Sequence, residues 1–220
     1  MAEWWNLSPS DLLLFSPRVY ARLFVLHNQH WWPLHLAGLA LGAGIAWSVW
    51  RSNDRVARAT TVLLGLTWIW VAWAFLWERY GDINWAVRYV APVFVLEGLL
   101  LIALGASGAM QFGVRGGLGR AVGLALVAIG LVGYPLLAPA TGRPWIGGEA
   151  FGLVADPTAV VTLGVLVASR GGWSRVALVI PVVWCAITGA TLWVLEDGAF
   201  VIAPACAVFA LLTAILTRRG

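Results

Sequence analysis

A carboxylate set inside apolar sequence is the most chemically telling feature of this chain. Glu97 lies twelve residues beyond Trp85 and ten before Ser107, within an otherwise apolar run. An ionisable group in hydrocarbon is costly, and by default it marks a functional site. Two readings of Glu97 are open. In one it is protonated and hydrogen-bonded to a hydroxyl on another helix, with Tyr134, Thr188 or Thr191 as the partner. In the other it relays a proton or a cation.

The three histidines of the chain, His27, His30 and His35, cluster at one boundary of the apolar sequence. Neutral imidazole can ligate haem iron, zinc, copper or the magnesium of chlorophyll. His27 and His30 are three apart and share a helix face. Their position suits a solvated interfacial role, a metal or pigment site, or proton-linked gating.

Most other polar groups gather in two loops. Residues 78–89 hold Glu78, Arg79, Asp82, Asn84, Trp85 and Arg88. Ion pairs among the four charged residues would fix the ends of two helices, and Asn84 would cap the second of them. The same groups suit an outward-facing recognition or docking site. Residues 141–158 hold Arg143, Trp145 and Asp156, and Asp156-Pro157 predicts a helix cap and first turn. Residues 157–169 then supply only 13 apolar positions. That is about 20 Å of helix, too short for ~30 Å of hydrocarbon. Either residues 151–155 dip into the membrane or the bilayer thins locally. Short, Gly/Pro-interrupted runs are the best sequence pointer to a transporter's binding site.

Composition excludes several chemistries. All 14 basic residues are arginine. Without lysine there is no Schiff base, and so no retinal pigment, nor a lysine-based phosphate loop. Cys185 and Cys206 read as small buried apolar side chains and form no paired-cysteine metal motif. No nucleophile–base pair or metal triad is apparent, so an enzyme is not expected. Charged residues make up 11% of the chain. That is too sparse for a nucleic-acid partner and well under the roughly 25% of soluble domains.

The elements that position these groups follow from the 61% hydrophobic content. Seven apolar runs stand out, at residues 32–50, 60–77, 86–106, 121–139, 157–169, 176–195 and 199–216. They are continuous rather than alternating, which predicts helices. The expected fold is an all-α integral membrane protein, a seven-transmembrane helical bundle. Residues 1–30 are expected to form an amphipathic interfacial segment and residues 31–220 the membrane domain. Ser8-Pro9-Ser10-Asp11 and Ser16-Pro17 are helix-start patterns within the first of these.

Orientation follows from arginine placement. With the N-terminus outside and the C-terminus inside, nine arginines face the cytoplasm: Arg51, Arg55, Arg58, Arg115, Arg120, Arg170, Arg175, Arg218 and Arg219. Five face outward: Arg18, Arg22, Arg79, Arg88 and Arg143. Of the 15 tryptophans, Trp4, Trp5, Trp31, Trp32, Trp85 and Trp145 fall near the outer boundary, and Trp47, Trp50 and Trp173 near the inner one. They read as anchoring belts. Trp70, Trp73 and Trp77 instead share one helix face, a stripe suited to helix packing, to lipid, or to a flat apolar tenant such as a quinone.

Several of these motifs together resemble a known family. They are Trp32-Pro33, Ile83-Asn84-Trp85 within residues 78–86, Phe94, and Glu97-Gly98-Leu99-Leu100. The run continues through Tyr134-Pro135, Gly142-Arg143, Trp145, Phe151-Gly152, Pro157-Thr158 and Leu163-Gly164. The chain resembles the bacterial membrane proteins classed as DUF6064 over nearly its whole length. The resemblance implies a multi-pass protein of the bacterial inner membrane and transfers no activity. Asp156 stands where members often carry cysteine, and Trp85 where they carry proline.

Two functions are expected from this reading. The first is an accessory or structural subunit of a larger membrane assembly, with the lipid bilayer and other membrane-protein subunits as partners. Haem, chlorophyll or quinone are the cofactors its histidines and tryptophans would suit. The alternative is a transporter or channel for a small solute, ion or proton, using Glu97 and the short fifth run.

Overall fold

Continuous apolar runs satisfy their backbone internally only as helices. The computed structural model of the chain is accordingly all-helical apart from one two-residue ladder. The structure describes residues 15–51, 54–112, 117–170 and 172–217. The Ser8-Pro9-Ser10-Asp11 pattern, Trp4, Trp5, Arg115, Arg218 and Arg219 lie outside the described residues.

Helix α1 (Pro17–His30) starts as its sequence predicts: Pro17 occupies the first turn, and the Ser16 hydroxyl accepts from the Val19 N–H at 3.4 Å. A bend of 94° at residues 31–33 separates α1 from α2 (Leu34–Arg51). Next come α3 (Asp54–Val71), with a π-helical extension over Ala72–Trp77, and α4 (Val87–Ser107). Helix α5 (Leu118–Ala128) runs through a second π-segment, Ile129–Gly133, into α6 (Tyr134–Ala140). Then follow α7 (Ala155–Ala168), α8 (Trp173–Ala177), α9 (Val179–Val194) and α10 (Ile202–Leu216). Strands β1 (Gln111–Phe112) and β2 (Ser169–Arg170) pair antiparallel and join the α4–α5 and α7–α8 connections.

All seven predicted runs are helical, but the count of seven spans is corrected. Among the described residues, five stretches are long and apolar enough to cross a membrane: Arg55–Asp82, Val87–Ser107, Leu118–Ala140, Trp173–Val194 and Gly198–Leu216. Helices α1 and α2 pass only as one bent pair, which makes six at most. Helix α7 is too short. Its 14 residues are all buried, enclosed by α5, α9, α10 and α3. A helix apolar on every side belongs in a core, and one sealed inside its own bundle need not reach two membrane faces. Hydropathy registers the apolar run and not the enclosure.

Close helix contacts are made by glycine. A Cβ on Gly65 of α3 would lie 2.5 Å from the Gly98 carbonyl of α4, and one on Gly98 would lie 2.7 Å from the Gly65 carbonyl. Gly123 of α5 and Gly164 of α7 face each other the same way, at 2.5 and 2.6 Å. Small residues let apolar helices approach where lipid offers no hydrophobic drive. Outward-facing Leu36, Leu39, Leu96, Leu99, Phe209 and Leu212 remain exposed.

Candidate functional site

The α6–α7 connection returns into the bundle, one of the two arrangements its sequence allows. Gly147, Gly148, Glu149, Phe151, Leu153 and Val154 are all buried. Helix α1 holds the loop down. Its Asn28 side-chain amide donates to the Ile146 carbonyl at 2.6 Å and to the Gly148 carbonyl at 2.7 Å. His27 Nε2 donates to the Leu153 carbonyl at 2.9 Å. Gly152 turns at φ 78°, a left-handed conformation that favours glycine. Its N–H donates to the Thr158 hydroxyl, which itself donates to the Val154 carbonyl at 2.7 Å. Backbone polar groups carried below the surface thus find partners, as they must.

This loop brings two acids together. Glu149 and Asp156 are 7% and 5% exposed and share a hydrogen bond. The expected capping role of Asp156 is corrected: Val154 is the N-cap residue of α7, and no side chain caps the helix. The Asp156 carboxylate turns inward to α9 instead. It accepts from the Trp184 indole N–H at 2.6 Å and from the Thr188 hydroxyl at 2.7 Å, both on the same oxygen. Burial pushes the Asp156 carboxyl above its ordinary range, and these donors oppose that rise. Burial and the neighbouring Asp156 push Glu149 well above the usual carboxylate range, opposed by the Arg143 guanidinium. Like charges in contact cannot both ionise cheaply. Of the two, Glu149 is pushed up the further, so it is the acid placed to donate in the hydrogen bond they share.

One cavity adjoins Glu149, and another adjoins the donors that hold Asp156. One of about 10 Å³ is lined by Glu149, Tyr134, Arg143, Asp197 and Tyr20. It has room for roughly one water, and both Glu149 Oε2 and Tyr134 Oη lack a partner there. The other, about 120 Å³, is lined by Trp184, Thr188, Tyr80 and Asn84. Water-sized space thus lies against Glu149 with the Arg143 cation at its edge, and the indole and hydroxyl donors of Asp156 line a larger cavity. Such an arrangement can hold, take up and release one proton.

The remaining predicted residues are dispersed. Glu97 is fully buried on α4, and both of its oxygens lack a hydrogen-bond partner. None of its expected partners bonds to it: Thr188 serves Asp156, and the Tyr134 hydroxyl is unpaired. Of the four charges in residues 78–89, Arg88 and Asp82 form an exposed ion pair at 3.2 Å. Arg88 also lies over the Trp77 ring. Glu78 is exposed and Arg79 half-buried. Asn84 accepts from the Ala86 N–H at 3.2 Å, one residue before the start of α4. Trp85 and Trp145 are exposed. Arg143 joins the carboxyl pair through the smaller cavity. His27 is buried, His35 half-buried and His30 exposed, and among the described residues no three His, Cys, Asp or Glu side chains converge. Trp70 and Trp73 pack edge-on with each other and with Trp31.

Neither the type nor the spacing of Glu149 and Tyr20 singles them out, and Tyr134 stands out only as a hydroxyl partner for Glu97. One signal was present: Glu149 stands seven residues before Asp156, in a glycine-rich loop leading into a run too short to span.

Fold and site together define an all-helical protein, with five or six stretches among the described residues long and apolar enough to cross a membrane and a buried carboxyl pair at the head of an enclosed helix. The chain belongs to DUF6064, a family of unknown function, whose model matches residues 18–219. Neither the curated proteins nor the solved structures contain a match to it.

Proposed function

We propose that the protein is a non-enzymatic, multi-pass membrane protein that moves protons, or a small cation coupled to them, through the Glu149–Asp156 pair. The carrying observation is one hydrogen-bonded carboxyl pair, with Asp156 in the first turn of a fully enclosed helix, Glu149 lining one small cavity and the donors to Asp156 lining another. Buried ionisable groups inside a bundle are costly and serve relays in pumps and transporters. In this reading the pair takes a proton from the face covered by α1. Glu97, unpartnered in the core, is the next acceptor along the path. The arginine distribution favours a bacterial inner-membrane location with the N-terminus outside, which makes the α1 end the outer face.

The test is flux. Purified protein in liposomes carrying a trapped pH dye should dissipate an imposed proton gradient. Glu149→Gln and Asp156→Asn should each slow it at least tenfold. Glu97→Gln should slow it too, and an unchanged rate would remove Glu97 from the path. Equal rates for wild type and both pair variants would sink the proposal.

A second reading, an accessory subunit docked to other membrane proteins, is favoured by the exposed rings of Trp32, Trp85, Tyr89 and Trp145. Extraction in mild detergent separates the two. A defined complex with other subunits supports the accessory role, and a lone monomer or homo-oligomer removes it.

A further inference from the structure

Helix α7 ends, opposite the carboxyl pair, at a cavity of about 400 Å³. Three arginines from three separate elements converge on it: Arg120 of α5, Arg170 of β2 and Arg175 of α8. The β1–β2 ladder fixes Arg170 by pairing it with Gln111. Among the described residues no carboxylate forms an ion pair with any of the three. Gly117, Leu118 and Gly119 also line the cavity, and this N-terminal turn of α5 has no side-chain cap. Its first N–H groups have no partner within the helix and add positive potential at the same place. Leu118, Trp173 and Leu216, in or next to the lining, are exposed apolar side chains.

We propose that this cavity binds the phosphate of an anionic phospholipid, with the acyl chains lying along those exposed apolar side chains. Three guanidinium groups and a helix N-terminus recognise a phosphate. Basic pockets between membrane helices hold anionic headgroups in this way. Three cations facing one phosphate also disfavour a zwitterionic headgroup, whose ammonium would be repelled. The apolar rim favours a lipid over free phosphate, which has no use for it. The proposal is independent of proton movement at the other end of α7.

The experiment uses the full chain in neutral detergent, with lipid retention read by native mass spectrometry and thermal shift. The probes are phosphatidylglycerol, phosphatidylcholine and inorganic phosphate. Wild type should retain phosphatidylglycerol at least tenfold more tightly than phosphatidylcholine, and millimolar inorganic phosphate should not displace it. Arg170→Gln and Arg175→Gln change exposed side chains and should leave the fold intact. Together they should abolish the preference. Arg51→Gln, an exposed arginine outside the cavity, should not alter it. Equal retention of both lipids, an unaltered preference in the double variant, or displacement by inorganic phosphate would overturn the proposal.

Discussion

The Trp184 indole donates to the Asp156 carboxylate at 2.6 Å, tying the first turn of α7 to the middle of α9. The same ring meets Phe94 of α4 edge-on, with centroids 5.0 Å apart. Trp184 thus fixes the acid and fills the core between three helices. Trp184→Phe keeps a smaller aromatic ring against Phe94 and removes the donor. It should cost about 1.5–3 kcal/mol, the range for a hydrogen bond to a charged group. Unfolding in mixed detergent micelles measures this, and an unchanged midpoint would refute the assignment.

Glu149 makes stability depend on pH. Its folded pKa is raised by burial and by Asp156, so the folded state binds more protons than the unfolded one. That contribution is complete below the ordinary glutamate value of about 4.3 and is lost as pH rises through the folded value. Wild type should therefore be less stable at pH 8 than at pH 5. Glu149→Gln, which cannot ionise, should flatten that slope. Thermal denaturation at the two pH values decides it, and parallel slopes would count against a protonated Glu149.

Asn28 holds the returning loop by donating to two carbonyls. Asn28→Ala leaves those acceptors without their donor, at a cost of about 1–3 kcal/mol. Hydrogen exchange across residues 145–154 should accelerate while exchange in α4 stays as it was. Uniform acceleration would instead mean that α1 stabilises the whole bundle.

Gly123→Ala places a methyl 2.5 Å from the Gly164 carbonyl and should cost about 1–3 kcal/mol through forced separation of α5 and α7. Gly44→Ala enters open space on α2 and should be neutral or stabilising by about 0.5–1 kcal/mol. Equal effects in the two variants would contradict the close packing.

Much of the fold was legible in the sequence because apolar runs in lipid leave the backbone no option but helix. The Ser16-Pro17 start of α1 and the inward return of residues 151–155 were readable for the same kind of local reason. The enclosure of α7 was not. A helix apolar on every side looks alike whether lipid or protein surrounds it. Asp156 was visible as an acid before a proline, which suggested a cap. Its actual partners, Trp184 and Thr188, lie 28 and 32 residues away, and local patterns do not carry such distances. Glu97 drew attention because it stands alone in an apolar run. Glu149 drew little because it stands in a loop, where acids are ordinary. What makes it unusual is burial, a tertiary property.

One proton held by Glu149 against Asp156 is what the proposed relay requires. Infrared spectroscopy of the protein in lipid at pH 7 tests this most directly. Wild type should show a protonated carboxylic-acid band that shifts on transfer to deuterated water, and Glu149→Gln should lose that component. A Glu149→Gln spectrum identical to that of wild type would contradict the account.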